Sequence, residues 1–208
     1  TYKLEKGALY MDFIDPHDIY DKVIVIDAGH GSRMSGATKN GIQEKDINLD
    51  IVLQLKALFD AYDGNIGVYY TRTDDSNPTL QQRAELANKA GADLFISVHN
   101  NSSGTGNFTS VNGTQVLYSE SDDRELGSKK LAQICLDNVT AATGSNDFGL
   151  LKADDIYIVR SSEAPVALIE VGFMTNRDEL AKLADPEYQR TAAQGIFNAV
   201  LEAVKEGY

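Results

Sequence analysis

Two histidines and two glutamates in this sequence have the side-chain chemistry of a catalytic metal site. His30 lies in DAGHG and His99 in SVHNN, and each follows a short apolar run. Glu44 begins a segment with helical periodicity, and Glu170 lies at the end of the apolar run APVALIEV. A catalytic zinc ion takes three protein ligands, for which two histidines and a glutamate are a known set, and it leaves a fourth position for water. The remaining carboxylate could take a proton from that water and return it to a leaving nitrogen.

The same residues also have ordinary structural interpretations, which their types and spacing leave open. Each of the two histidines could be a hydrogen-bonded loop residue, and Glu44 could interact favourably with the dipole at the start of its helix. Glu170 could be one half of a buried ion pair, with Arg160 as the base. The third histidine, His17, lies in an irregular N-terminal segment, and we expect it to be exposed.

Apolar runs and helical periodicities alternate along the chain, which predicts an α/β domain with a mostly parallel sheet. Sites in such sheets form outside the carboxyl ends of the strands, where both His30 and His99 are expected. We predict strands at 22–27, 66–71, 93–98, 114–119 and 164–171, and one or two short extended pieces between 148 and 160. Helices are predicted at 44–61, from Leu80 to a stop at Gly91, at 124–142, and from Pro186 to Ala203 behind an Asp185 N-cap.

The composition fits one globular domain and excludes several classes of partner. The chain has 208 residues and a net charge of -12, which disfavours binding to nucleic acid or anionic lipid. Its apolar runs are too short to span a bilayer, so we expect no membrane insertion. Cys135 lies at helical spacing from Leu131 and is expected to be a small core residue. The chain opens with Thr1 and shows no signal peptide, and we expect that a further segment preceded it.

Five segments of the sequence, in the same order, resemble the catalytic domain of the type 3 zinc-dependent N-acetylmuramoyl-L-alanine amidases. They are VIVIDAGHGS, GIQEKDINLD, YYTRTDD, LQQRAELANKAGADLFISVHNN and APVALIEVGFMTN. The resemblance runs from Lys22 to the C-terminus, so residues 22–208 are predicted to form the catalytic domain and residues 1–21 an irregular lead-in. It implies a single three-layer α/β domain, related to zinc carboxypeptidases, with a central, mostly parallel sheet of about six strands flanked by helices.

The resemblance also implies roles for individual residues. His30, Glu44 and His99 occupy the positions of the family's zinc ligands, which implies one Zn²⁺ per chain, and Glu170 occupies the position of its catalytic carboxylate. Asn101 could line the substrate groove or belong to a solvated loop. The sequence departs from the family's usual pattern without losing a ligand, at Ala28, Ser32 and Asn100.

Two arginines match family positions without an assigned role in the chemistry. We expect Arg72 and Arg83 to form structural ion pairs, with Asp74 or Glu85, rather than to contact substrate.

The function implied by the resemblance is hydrolysis of the amide between the lactyl group of N-acetylmuramic acid and the L-alanine of the peptidoglycan stem peptide. One alternative is a zinc peptidase acting within stem peptides, although related carboxypeptidases hold their first histidine and glutamate in one HxxE turn and Glu44 lies far beyond His30. Another is a non-enzymatic cell-wall-binding or activator module, although a degraded site should lack ligands that are all present here. Peptidoglycan is the expected partner of a monomer exported to the cell wall or the extracellular space.

Overall fold

The computed structural model of the chain describes residues 2–6, 8–11, 14–104 and 106–208, with the backbone alone for 2–5 and 8–11. The strands in these ranges are β1 (Tyr2–Glu5), β2 (Ala8–Met11), β3 (Lys22–Ala28), β4 (Thr38–Lys39), β5 (Ile42–Gln43), β6 (Ile66–Tyr70), β7 (Leu94–Asn101), β8 (Thr114–Tyr118), β9 (Asp147–Lys152) and β10 (Val166–Phe173). The helices are α1 (Glu44–Asp60), α2 (Leu80–Lys89), α3 (Ser128–Thr143), α4 (Tyr157–Arg160), α5 (Arg177–Leu183) and α6 (Pro186–Lys205). None of the helices in the described part of the chain is both long and apolar enough to cross a bilayer.

A six-stranded sheet forms the centre of the domain and confirms the predicted α/β fold. Its strand order is β6-β3-β7-β10-β8-β9. The first four strands of this order run parallel, β8 is antiparallel to β10, and β9 is parallel to β8. The sheet is therefore mostly parallel, and the carboxyl ends of β3, β7 and β10 lie side by side at one edge.

Helices cover both faces of this sheet, but unequally. On one face α1, α3 and α6 pack over the inward side chains of β3, β7, β8 and β10 and form the larger apolar core. On the other face a smaller core is closed by α2 and the short α4. Cys135 lies in the larger core and is fully buried, as predicted, and burial raises the pKa of its thiol to about 12.

Local signals account for the helix starts that were predicted most closely. Thr79 and Gln82 form a reciprocal capping box at the start of α2, with Thr79 Oγ1 accepting from the Gln82 amide at 3.2 Å. Asp185 caps α6 by accepting from the Glu187 amide at 3.0 Å, and Pro186 occupies the first helical position.

The structure corrects several predictions between residues 118 and 186. Helix α3 begins at Ser128 rather than at 124, because the Asp122 carboxylate accepts from both the amide and the hydroxyl of Ser128 and fixes the preceding residues as a turn. Between 148 and 160 one extended piece is present as β9, whereas residues 157–160 form α4 and bury Ile158 and Val159. Helix α5 was not predicted.

The N-terminal segment contains more regular structure than the predicted irregular lead-in. Strands β1 and β2 pair as an antiparallel hairpin, and Pro16–Asp18 form a 3-10 helix capped by Asp15. Strands of four residues place only two side chains on each face, so an alternating pattern identifies them weakly. His17 is exposed, as expected, with Nε2 2.8 Å from the Gly91 carbonyl oxygen.

Candidate active site

His30, Glu44 and His99 meet at the sheet edge where β3 and β7 end and α1 begins. Glu44 Oε1 lies 3.1 Å from His30 Nε2 and 2.9 Å from His99 Nδ1. One possible ligand atom from each residue lies within 4.8 Å of the other two. The imidazole rings contact each other edge to face, with their centroids 4.8 Å apart. The structure thus brings together the three residues that the sequence suggested as ligands.

The DAGHG segment has a backbone that allows the two histidine rings to approach each other. A Cβ atom at Gly29 would lie 2.2 Å from the His99 ring, so any larger residue would displace that imidazole. His30 itself adopts a φ of 62°, a left-handed conformation that is uncommon for non-glycine residues. The chain therefore turns sharply after β3, and the turn brings the His30 side chain to Glu44.

Glu44 is held by backbone and side-chain groups as well as by the histidines. Its Oε2 accepts from the Ala37 amide at 2.8 Å, and its Oε1 is 3.3 Å from the Asn100 amide. Burial raises the pKa of Glu44, but hydrogen bonds to His30 and His99 outweigh it and keep the pKa well below its ordinary range. Burial lowers the pKa of His99, yet the hydrogen bond to Glu44 and the nearby negative charges together raise it overall. Glu44 is therefore ionised at neutral pH and can act as a ligand.

Glu170 lies beside this group but has a different electrostatic environment. In the sheet register it is paired with His99 on the neighbouring strand. Its Oε2 is buried and has no hydrogen-bond partner among the described residues. Burial raises the pKa of Glu170 to about 7, despite the opposing charge of His99. A carboxyl group with this pKa can exchange a proton at neutral pH.

The alternative interpretation of Glu170, an ion pair with Arg160, is not what the structure contains. Arg160 is exposed, and its guanidinium donates to the Asp155 carbonyl oxygen and lies over the Tyr157 ring. Glu170 therefore has no role in bracing the sheet through that base.

The donor chemistry of His30, Glu44 and His99 fits a zinc ion. Two imidazole nitrogens and one carboxylate oxygen form a known catalytic zinc set. All three side chains line an open cavity that a substrate could enter. The neighbouring Oε2 of Glu170 has no hydrogen-bond partner in the described part of the chain and faces the same space.

Arg72 is buried and structural, as predicted, but its predicted partner was wrong. It contacts the backbone carbonyl of Asp74 rather than that residue's carboxylate. Its other hydrogen bonds go to the carbonyl oxygens of Ala28, Gly29 and Lys45, at 2.8–2.9 Å. It therefore ties the segment that carries His30 to the first turn of α1, which carries Glu44.

Arg83 is also structural, and here too the predicted partner was wrong. Its carboxylate partner is Asp27, with both side chains almost fully buried, whereas Glu85 pairs with Lys89 one helical turn away. Arg83 also donates to the His30 carbonyl oxygen at 2.7 Å. The Asp27–Arg83 pair therefore holds the backbone of the His30 turn in place through this hydrogen bond.

Two asparagines near the ligands acquire roles that the sequence did not assign. Asn100, noted only as a departure from the family pattern, is 1% exposed and donates from Nδ2 to Asn48 Oδ1 at 2.8 Å. That bond turns the Asn48 Nδ2 towards the Gly29 carbonyl oxygen at 3.2 Å and Glu44 Oε1 at 3.4 Å. Asn100 thus contacts Glu44 directly through its backbone amide and indirectly through Asn48.

The open space around the histidines consists of two cavities that meet at His30, His99, Leu80 and Ile158. The first, the Met34 cavity, has a volume of about 310 Å³. Its other lining residues are Asp27, Gly29, Met34, Asn77, Pro78, Thr79 and Arg83. The second, the Glu170 cavity, has a volume of about 440 Å³. Its other lining residues are Gly36, Ala37, Glu44, Asn100, Asn101, Ser102, Ile156, Leu168 and Glu170.

Asn101 thus lines the Glu170 cavity, which agrees with the hypothesis that it borders a substrate groove. Leu80, Ile158 and Met34 were not singled out from the sequence. The one available signal was that Leu80 begins a helix with a large apolar side chain, and it is 51% exposed.

Comparisons with known proteins agree on one family. Its sequence profile, described as N-acetylmuramoyl-L-alanine amidase, matches residues 24–202. N-acetylmuramoyl-L-alanine amidase LytC of Bacillus subtilis strain 168 is 34% identical over 183 residues, which cover 88% of this chain and 36% of LytC. The chain therefore spans about a third of that relative's length.

Two solved structures share the fold closely. The catalytic domain of the amidase CwlV from Bacillus (Paenibacillus) polymyxa var. colistinus superposes with a TM-score of 0.80 at 34% identity, over 88% of this chain and 98% of that one. The N-acetylmuramoyl-L-alanine amidase from Clostridium difficile 630 superposes with a TM-score of 0.82 at 32% identity, over 90% and 98% of the two chains.

Proposed function

This chain belongs to the N-acetylmuramoyl-L-alanine amidase family, and from that membership we propose a zinc-dependent mechanism for its hydrolysis of peptidoglycan. The bond cleaved is the amide between the lactyl group of N-acetylmuramic acid and the L-alanine of the stem peptide. His30, Glu44 and His99 hold one zinc ion per chain, and Glu170 carries the proton. The observation that supports this most is the convergence of three possible ligand side chains beside a carboxyl oxygen for which the described residues provide no hydrogen-bond partner.

A bound zinc ion would polarise the amide carbonyl and lower the pKa of water in the site. The residues of the chain do the remaining work. Glu44, ionised and fixed by the Ala37 amide, supplies the negative charge that favours a cation between the imidazoles. Glu170 accepts a proton from the attacking water, whose oxygen bonds to the carbonyl carbon, and gives that proton to the alanine nitrogen as the C–N bond breaks. Its pKa of about 7 suits both transfers.

The site of action and the assembly state follow from the substrate. Peptidoglycan lies outside the cytoplasmic membrane, so we propose that the protein is exported and acts in the cell wall or the extracellular space. We also propose that it acts as a monomer, because all four residues of the proposed site come from one chain.

The proposed reaction is tested by mass analysis of digested peptidoglycan together with metal analysis. The expected products are free stem peptides with a new L-alanine amine and intact glycan strands, with one zinc per chain. His99→Ala should lose both metal and activity, and a fully active His99→Ala protein would overturn the ligand assignment. Cleavage within the stem peptide would identify a peptidase, and the absence of cleavage by zinc-loaded protein would identify a non-enzymatic module.

The role of Glu170 is tested by Glu170→Gln, which keeps the shape of the side chain but removes the exchangeable proton. Turnover should fall on the order of 10²- to 10⁴-fold, while zinc content and melting temperature stay near those of the parent. Glu163→Gln, at an exposed glutamate, is the matched control and should leave turnover unchanged. Near-parental turnover in a zinc-loaded Glu170→Gln protein would remove Glu170 from the mechanism.

A further inference from the structure

The two cavities beside the histidines are not equivalent with respect to Glu44 and Glu170. His30 and His99 border both of them. In the part of the chain that the structure describes, Glu44 and Glu170 border only the Glu170 cavity. The proton carrier of the proposed mechanism is thus on one side of the ligand group.

This asymmetry determines how an amide must lie in the cleft. The nitrogen that leaves as an amine receives its proton from Glu170, so it must lie within hydrogen-bond reach of that carboxyl group. The chain attached to this nitrogen then extends through the Glu170 cavity. The acyl part of the substrate, on the other side of the scissile bond, extends towards the cavity that Glu170 does not border.

We propose, on the basis of the proposed function, that the Met34 cavity is the subsite for the N-acetylmuramic acid sugar and that the Glu170 cavity is the subsite for the stem peptide. Met34, Pro78 and Leu80 then determine recognition of the glycan side, and Asn101 and Ser102 lie along the peptide. Leu80 and Ile158, which border both cavities, lie beside the scissile bond.

The lining of the Met34 cavity suits this sugar. N-acetylmuramic acid presents the methyl group of its lactyl ether, the methyl group of its acetamide and the C–H faces of its ring. Met34 and Leu80 are 59% and 51% exposed and both line this cavity, so they offer apolar surface on which those methyl groups and C–H faces can pack. Asn77 and Thr79 add polar groups at the rim. A volume of about 310 Å³ is at the lower end of the range for ligand pockets and suits a single sugar unit.

The two products of the reaction separate the two subsites experimentally. Binding of free N-acetylmuramic acid and of free L-alanyl-D-glutamate to the zinc-loaded protein can each be measured by calorimetry. Met34→Gln keeps the length of the side chain and makes it polar, and it should weaken sugar binding on the order of 10-fold with peptide binding unchanged. Ser102→Asp, which places a negative charge beside the peptide's carboxylates, should weaken peptide binding only.

Leu151→Gln is the matched control, because Leu151 is 47% exposed on β9 and borders neither cavity. It should leave both affinities unchanged. If Met34→Gln weakens peptide binding, weakens both products equally or weakens neither, the assignment of the subsites is wrong. Failure of the parent to cleave a muramyl peptide is a separate result, which would refute the proposed function itself.

Discussion

Arg72 joins the two segments that carry the first two candidate ligands, and a conservative substitution there should weaken both the fold and the zinc site. Its guanidinium donates to the carbonyl oxygens of Ala28 and Gly29, just before His30, and to that of Lys45 in the first turn of α1. A lysine ammonium is a compact point charge and cannot reach acceptors on both segments at once. Arg72→Lys should therefore lose at least two of these bonds.

The structure limits the size of the effect. A hydrogen bond to a charged group contributes about 1.5–3 kcal/mol. The Ala28 carbonyl oxygen also accepts from Arg83 at 2.7 Å, and that of Gly29 from Asn48 at 3.2 Å, so neither is left without a partner. We therefore expect the free energy of unfolding to fall by about 2–4 kcal/mol. For a domain of this size that corresponds to a decrease in melting temperature of roughly 5–15 °C.

Urea denaturation measures the stability loss, and competition with a zinc chelator measures the affinity of the folded protein for metal. Zinc affinity should fall on the order of 10- to 100-fold, because groups that orient metal ligands typically have effects of this size. Arg190→Lys is the control, since Arg190 is exposed and pairs with Glu187 on the same helix. It should change stability by less than about 0.5 kcal/mol. A stable Arg72→Lys protein with parental zinc affinity would refute the reasoning.

Three other perturbations test features described above. Gly36 and Gly41 both have positive φ, but only at Gly36 would a methyl group meet a ligand, 2.3 Å from Glu44 Oε2. Each alanine variant should lose about 1–2 kcal/mol in urea denaturation, and Gly36→Ala alone should bind zinc more weakly; equal affinities would contradict this. Burial raises the pKa of Asp27, but the Arg83 guanidinium and the hydrogen bonds from Thr71 and Ser97 together outweigh it and lower the pKa. The ionised Asp27 carboxylate thus stabilises the fold above pH about 4, and this contribution is lost as the pH falls below that value. Between pH 5 and 3 the free energy of unfolding of the parent should therefore fall more steeply than that of Asp27→Asn. Parallel curves for the two proteins would contradict this prediction. Cys135 should react with a water-soluble thiol reagent only after unfolding, and rapid labelling of the native protein would show that its site opens.

The fold was predictable because its signals are local. The buried strand at 22–28 is a continuous apolar run, and α2 and α6 start at side-chain caps only a few residues away from the groups they bind. The short elements were not predicted, because a local signal needs more residues than they contain. The hairpin of β4 and β5 has two residues in each strand, and α4 has a single turn, so neither contains a full period of any pattern.

The candidate site was predictable as a set of residues but not as a network. His30 and His99 belong to recognisable motifs, so they could be identified without coordinates. His30 follows β3 as predicted, but His99 lies within β7, which extends to Asn101 rather than ending at 98. The partner of Arg83 is Asp27, 56 residues away, and Glu85 was the nearer but incorrect choice because sequence distance says nothing about which buried carboxylate faces a base. The same limit applies to Leu80, whose place in the cleft depends on how α2 packs across the sheet.

The unequal covering of the sheet has a consequence for amide hydrogen exchange. Amides of α3 and α6, which pack over the larger core, should exchange only through global unfolding, whereas those of α2 and α4 should exchange through smaller local openings. The cleft wall residues Leu80 and Ile158 belong to α2 and α4, for which we expect the faster exchange. Glu44 belongs to α1 in the slower one. If the amides exchange as expected, the wall formed by Leu80 and Ile158 can move without disturbing the group that contains Glu44.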